Sequence, residues 1–170
     1  MKNTENIVLV GLMGSGKTTI GKQLSKKLNK EFVDTDLQIE QKTGVNVSTI
    51  FELEGENGFR SRETNLLQEL LSEKNKVVAT GGGIVLLEIN REFLKKIGKI
   101  IYLKTTPKDL AIRLRHDKKR PLIQNVDLLK ELTSLYEQRD TLYKSIANYI
   151  IETHNKRIMD INQEIIELFD

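Results

Sequence analysis

The 170-residue chain has no cysteine, no tryptophan, two prolines and two histidines. Without cysteine there is neither a disulfide framework nor a thiolate metal site. Only His116 and His154 offer imidazole, so a zinc centre is not expected. Aromatic residues make up 5 % of the chain and do not interleave with basic ones, which removes base-stacking platforms from consideration. The net charge of +3 is too small to argue for nucleic acid. No apolar run approaches membrane-spanning length, and Met1-Lys2-Asn3-Thr4-Glu5 leads almost directly into the first apolar segment, with no room for a signal peptide. The expectation is a cytoplasmic protein that uses neither nucleic acid nor membrane. There is no internal repeat, low-complexity stretch or linker, so the length reads as one domain. No long exposed apolar stripe is evident, and a monomer is expected.

The strongest signal is Gly11-Leu12-Met13-Gly14-Ser15-Gly16-Lys17-Thr18, which matches the phosphate-binding pattern G-x-x-x-x-G-K-[ST]. Its context is the one the physics requires. The apolar run Ile7-Val8-Leu9-Val10 reads as a buried strand before it, and Thr19 to Leu28 reads as a helix after it. Glycines let the backbone turn its N–H groups inward at the positive end of that helix, so Gly14, Ser15, Gly16, Lys17, Thr18 and Thr19 form the expected nucleotide-binding set. Lys17 can reach the β- and γ-phosphates, and the Thr18 hydroxyl can ligate magnesium. The chain is expected to bind a nucleoside triphosphate.

Short β-branched runs alternate with helical patterns throughout, which argues for an α/β fold with a parallel sheet and crossover helices. The expected strands are Ile7 to Val10, Glu31 to Asp34, Val77 to Thr80, Ile100 to Leu103 and Tyr149 to Glu152. Apolar helix faces are expected to include Ile112, Leu114, Leu128, Leu129, Leu132 and Leu135, and later Ile161, Ile165, Ile166 and Phe169. Thr106-Pro107-Lys108-Asp109 reads as a helix start. Residues 44 to 75 hold two helices where a simple crossover needs one, and 115 to 125 form a charged stretch interrupted by Pro121. Insertions at such places serve a substrate pocket and a mobile cover, or are plain solvated surface.

Strand two ends in Val33-Asp34-Thr35-Asp36. Residues two apart in an extended segment point to one side, so both carboxylates are expected to face the same space, at the strand end where ligands bind in such sheets. One would then stand beside magnesium and the other accept a proton from an attacking hydroxyl; a helix cap is the alternative use. Thr80-Gly81-Gly82-Gly83 ends strand three with glycines, which permit close backbone approach to a ligand or simply form a turn. In Phe59-Arg60-Ser61-Arg62-Glu63, Arg60 and Arg62 cannot share a helix face, whereas Glu63 can hold the Arg60 guanidinium in place. Arg113, Arg120 and Arg139 are individually compatible with ordinary surface positions.

Taken in order, the phosphate loop, Asp34-Thr35-Asp36, Phe59-Arg60 with Glu63, Gly81-Gly82-Gly83, Arg120-Pro121-Leu122 and Arg139 with Leu142-Tyr143 closely resemble the shikimate kinase family over nearly the whole chain. The resemblance implies a three-layer, nucleoside-monophosphate-kinase-like P-loop fold. Its five-stranded parallel sheet would run in the order 2-3-1-4-5, with a substrate-binding insertion at about 35–75 and a lid at about 113–125. It implies transfer of the γ-phosphate of ATP to the 3-hydroxyl of shikimate, on the route to chorismate and the aromatic amino acids.

By the same resemblance, Asp36, Arg60, Gly82 and Arg139 hold shikimate, with Asp36 taking the hydroxyl proton and both arginines pairing with the carboxylate. Gly81 and Gly83 contribute backbone contacts. Thr18 and Asp34 serve Mg2+, Asp34 through water, while Lys17 and Arg120 stabilise the transferring phosphoryl group. Arg113 flanks adenine, with Lys156 and Arg157 as neighbours of the base. Asn155-Lys156 hints at a guanine motif, but Ile158 stands where that motif needs an aspartate. A gluconate-type sugar-acid kinase and a non-catalytic ATP-binding switch are the competing readings.

Overall fold

A computed structural model describes residues 3–115 and 127–170. Arg120 and the larger part of the expected lid therefore lie outside the described residues. Five parallel strands, β1 (Asn6–Val10), β2 (Glu31–Asp34), β3 (Lys76–Ala79), β4 (Gly98–Lys104) and β5 (Tyr149–Glu152), form one sheet in the order β2-β3-β1-β4-β5. This is the expected order. The expected strand bounds are also met to within two residues at every end.

The central strand explains the layering. β1 is buried along its whole length, as a parallel strand covered on both faces must be. Ile7 and Leu9 face one side, where α1 (Lys17–Leu28) and α7 (Ile158–Glu167) bring Ile20, Leu24, Ile161 and Ile165. Val8 and Val10 face the other, where they meet apolar residues of α3 (Val47–Leu70), α4 (Glu88–Ile97), α5 (Pro107–Arg115) and α6 (Leu128–Ile146). Strand side chains alternate between faces, so one apolar run feeds both cores.

Helix α5 begins at the expected Thr106-Pro107, with the Thr106 hydroxyl accepting from the Asp109 amide. Two apolar positions depart from expectation. Ile112 is exposed because α5 docks through Leu110, Ala111 and Leu114, and Leu129 faces outward because α6 docks through Leu128, Leu132 and Leu135. Spacing of three or four marks a face but does not say where it is centred.

Between β2 and β3 run α2 (Thr35–Thr43) and α3. The two helices expected within 44–75 are the two halves of α3, broken at Gly55, whose φ of 72° and ψ of −179° depart from helix geometry. Arg62 closes over the break, its Nε and Nη2 donating to the Glu54 carboxylate at 2.8 and 2.6 Å. No helix of the described residues is long and apolar enough to cross a membrane.

Candidate active site

Residues 11–16 leave β1 and turn into α1. Gly16, at φ 97°, is the left-handed residue on which the helix starts, and Gly14 stands at φ 81°; a side chain at either would be strained. Lys17 and Thr18 are thus the first helical residues, two earlier than expected, at the positive end of α1. The Lys17 ammonium lies over the loop, donating to the carbonyls of Gly11 and Leu12 at 2.7 and 2.9 Å.

Thr18 donates its hydroxyl to Asp34 Oδ2 at 3.0 Å, while Asp34 Oδ1 accepts from the Leu37 amide at 3.1 Å. This corrects the extended reading of Asp34-Thr35-Asp36. The strand stops at Asp34, which caps α2, and Asp36 stands in the first turn of that helix. The cap, posed in the sequence as an alternative to a ligand-side role, takes one oxygen of the Asp34 carboxylate, and the other accepts from Thr18. Both aspartates nevertheless line the same cleft.

That cleft, about 920 Å³, runs from the phosphate loop to the glycines after β3 and to Arg60 and Arg139. The glycines approach their neighbours closely. A side-chain carbon at Gly81 would meet Asp36 Oδ1 at 2.7 Å, and one at Gly83 would overlap the Arg60 guanidinium. The Gly81 amide donates to the buried Thr35 hydroxyl at 3.0 Å, tying this loop to the start of α2.

Arg60 Nη1 donates to Glu63 Oε1 at 2.6 Å, and its guanidinium lies 5.5 Å from the Phe59 ring centre. The Glu63 side chain is fully buried. Burial pushes its carboxyl up to about 7, against the pull of Arg60, with the Asp36 charge adding to the rise and Arg139 opposing it. Arg139, from α6, brings a second guanidinium to the same end; its buried Nε has no hydrogen-bond partner among the described residues. Arg62 points away into its pair with Glu54, as its spacing from Arg60 requires.

At the opposite end the structure places Thr19, Arg113, Lys156 and Arg157 on the cleft wall. Arg113 reaches the Gly14 carbonyl at 3.2 Å, Lys156 pairs with Glu164 at 2.7 Å, and Arg157 pairs with Asp160 at 3.0 Å. Sequence reasoning did not find Val47 and Phe51 on the wall, nor the hydroxyl of Tyr143, which donates to the Gly82 carbonyl. Phe51 stacks on Phe59 at 4.8 Å, a contact made across the break in α3 that helical spacing alone does not reveal. Among the described residues, no three His, Cys, Asp or Glu side chains gather as a metal cage. Thr18 and Asp34 do fit Mg2+, which takes few protein oxygens and otherwise keeps water and phosphate.

The chain as a whole is similar to known proteins. The family model described as shikimate kinase matches residues 13–170. A shikimate kinase of Nitrosospira multiformis is 48 % identical over 162 residues, spanning 95 % of this chain and 83 % of the relative. The solved structure of shikimate kinase from Acinetobacter baumannii in complex with shikimate superposes with a TM-score of 0.92 at 46 % identity, covering 99 % of this chain and 94 % of that one. A gluconokinase from Sinorhizobium meliloti shares the fold, with a TM-score of 0.63, at only 16 % identity over 96 % of this chain and 90 % of that one. With a family model spanning most of the chain and relatives this similar over nearly all of it, the chain belongs to the shikimate kinase family.

Proposed function

We propose that this protein transfers the γ-phosphoryl group of ATP to the 3-hydroxyl of shikimate, a step toward chorismate and the aromatic amino acids. The observation that carries this reading is the convergence of two guanidinium groups, Arg60 and Arg139, with Asp36 and the Gly81–Gly83 backbone, at one end of a cleft whose other end is a phosphate loop. A small anionic polyol needs a planar two-bond clamp for its carboxylate and a base beside its hydroxyl. Arg60 and Arg139 supply the clamp, and Asp36 accepts the hydroxyl proton as that oxygen attacks the γ-phosphorus. The glycine loop brings backbone amides against the ring hydroxyls.

The loop amides of residues 14–19 and the Lys17 ammonium take the phosphates, Lys17 exchanging its loop carbonyls for phosphate oxygens. Thr18 and Asp34 are the residues that would hold Mg2+, Asp34 through water, and the ion would supply positive charge to offset that of the phosphates. Arg113, with Lys156 and Arg157, borders the adenine. The segment 35–75 forms the acceptor end.

A coupled assay of ADP formation with ATP and Mg2+ tests the reading. Turnover should depend on shikimate and should not appear with gluconate. ADP formation indifferent to shikimate would leave a nucleotide switch, and turnover with gluconate would move the acceptor class.

A further inference from the structure

Arg60 meets two carboxylates of its own helix, and the two are held very differently. Its Nη1 donates to Glu63 Oε1 at 2.6 Å, and the Glu63 side chain has no exposure to solvent. Its Nη2 reaches Glu56 Oε1 at 3.4 Å, and the Glu56 side chain is 60 % exposed. The first pair is short and sealed. The second is long and wet, an i,i+4 contact of the kind that contributes little.

The break in α3 puts Glu56 in this place. Gly55 leaves helix geometry, so Glu56 opens the second half of the helix, on the same face as Arg60. An acid in a first helical turn is favoured by the helix dipole even when it holds no cation. Glu56 can therefore release Arg60 and remain stabilised where it stands.

The rest of the guanidinium leaves an incoming anion little choice. Nη1 belongs to Glu63, and Nε is buried with no hydrogen-bond partner among the described residues. Glu56, Arg60 and Gly83 all line the cleft, and the missing side chain at Gly83 lets the guanidinium lie directly against the glycine loop. A carboxylate arriving from the cleft gains Nη2, the nitrogen that Glu56 holds. Two carboxylates on one nitrogen repel each other, and the exposed, weakly held Glu56 is the one that can turn into water.

We infer that Glu56 is an exchange partner for the acceptor: its carboxylate holds Nη2 of Arg60 until the acceptor carboxylate replaces it, and it returns as the product leaves. The inference rests on the proposed clamp role of Arg60. Glu56 thereby opposes acceptor binding, whereas a residue that merely aimed Arg60 would assist it. The two roles predict opposite signs.

Steady-state kinetics on the full chain separate them, for wild type, Glu56→Gln, Glu52→Gln and Arg60→Ala, with a thermal melt of each. Glu56→Gln should lower the shikimate KM about threefold, the order expected when an exposed ion pair no longer has to be broken. Inhibition by the 3-phosphorylated product should tighten by a similar factor, because the product keeps the same carboxylate. The ATP KM should stay within about twofold. The carboxamide of shikimate has no anion to exchange and should inhibit wild type and Glu56→Gln equally. Glu52→Gln removes the same charge from an exposed position of α3 that makes no bond to Arg60, and should leave the shikimate KM alone. Arg60→Ala should raise that KM about thirtyfold or more.

A shikimate KM unchanged or raised in Glu56→Gln, an equal gain for the carboxamide, or an equal drop in Glu52→Gln would each overturn the inference. A normal shikimate KM in Arg60→Ala would instead overturn the clamp beneath it, so the two failures are told apart.

Discussion

Replacing Glu63 by Gln tests the electrostatics of the acceptor end through stability rather than activity. The substitution keeps shape and leaves an amide oxygen to accept from Arg60, but it removes a titrating group. In the folded protein that group holds its proton up to about 7, against an ordinary 4.5, because its side chain is fully buried. Folding thus favours the protonated carboxyl. Its stabilising contribution is complete below pH 4.5 and is lost as pH rises through 7, since over that window the folded chain binds the proton more tightly than the unfolded chain. At about 1.4 kcal/mol for each tenfold change in proton affinity, the loss amounts to roughly 3 kcal/mol. In a chain of this size that corresponds to about 6–12 °C in melting temperature.

Other carboxylates titrate over part of the same range, so the informative quantity is the difference between the two proteins. Glu63→Gln should gain on wild type steadily between pH 4.5 and 7.5 and then level off, when both are melted in buffers of matched ionic strength. Substrate affords a second readout. A bound carboxylate favours the protonated Glu63, so the wild-type shikimate KM should rise with pH through 7 while that of Glu63→Gln stays nearly flat. Parallel melting curves across the range would refute the argument, because they would mean that Arg60 and Arg139 outweigh burial and keep Glu63 charged.

Lys17→Met should lower kcat at least ~10³-fold in the coupled assay, as removal of a charge-stabilising group does; it should also cost some melting temperature, because the ammonium braces the Gly11 and Leu12 carbonyls. Asp36→Asn should abolish most turnover while shikimate still binds by calorimetry, whereas Asp34→Asn should raise the Mg2+ needed for half-maximal rate; identical Mg2+ curves would defeat this division of labour. Gly81→Ala should fold, since the atom it meets at 2.7 Å is a carboxylate oxygen, yet should cut kcat by displacing Asp36. Arg62→Ala should change the shikimate KM no more than about twofold, with any loss of melting temperature shrinking in high salt, because its exposed pair with Glu54 braces the α3 break from the outside.

The fold was legible where one physical cause dominated. A central parallel strand must be apolar on both faces, and Ile7-Val8-Leu9-Val10 shows that in four letters; the sheet order came from the family resemblance, and pairing of β1 with both β3 and β4 bears it out. Helix faces were legible in period but not in phase, which is why Ile112 and Leu129 turned outward while neighbours three or two residues away docked. The break at Gly55 was visible only as a surplus of helix between β2 and β3. Its closure by Arg62 and Glu54, eight residues apart, belongs to no helical spacing rule and required coordinates.

The site shows the same division between covalent order and tertiary encounter. Arg60 and Glu63, one turn apart, could be paired from spacing alone, and the structure pairs them at 2.6 Å. Arg139 lies 79 residues beyond Arg60, and only the family pattern suggested that both face one pocket. Asp34 is the instructive case, because its two uses looked exclusive when posed as strand or cap. A carboxylate at a strand-to-helix junction has one oxygen turned back to the helix amides and another turned out past the strand end. Capping fixes the rotamer, and the fixed rotamer is what delivers Oδ2 to Thr18 at 3.0 Å. The helix cap and the Asp34–Thr18 contact at this junction are therefore one constraint. A residue such as Glu, which moves its carboxylate one carbon further out, would lose both together.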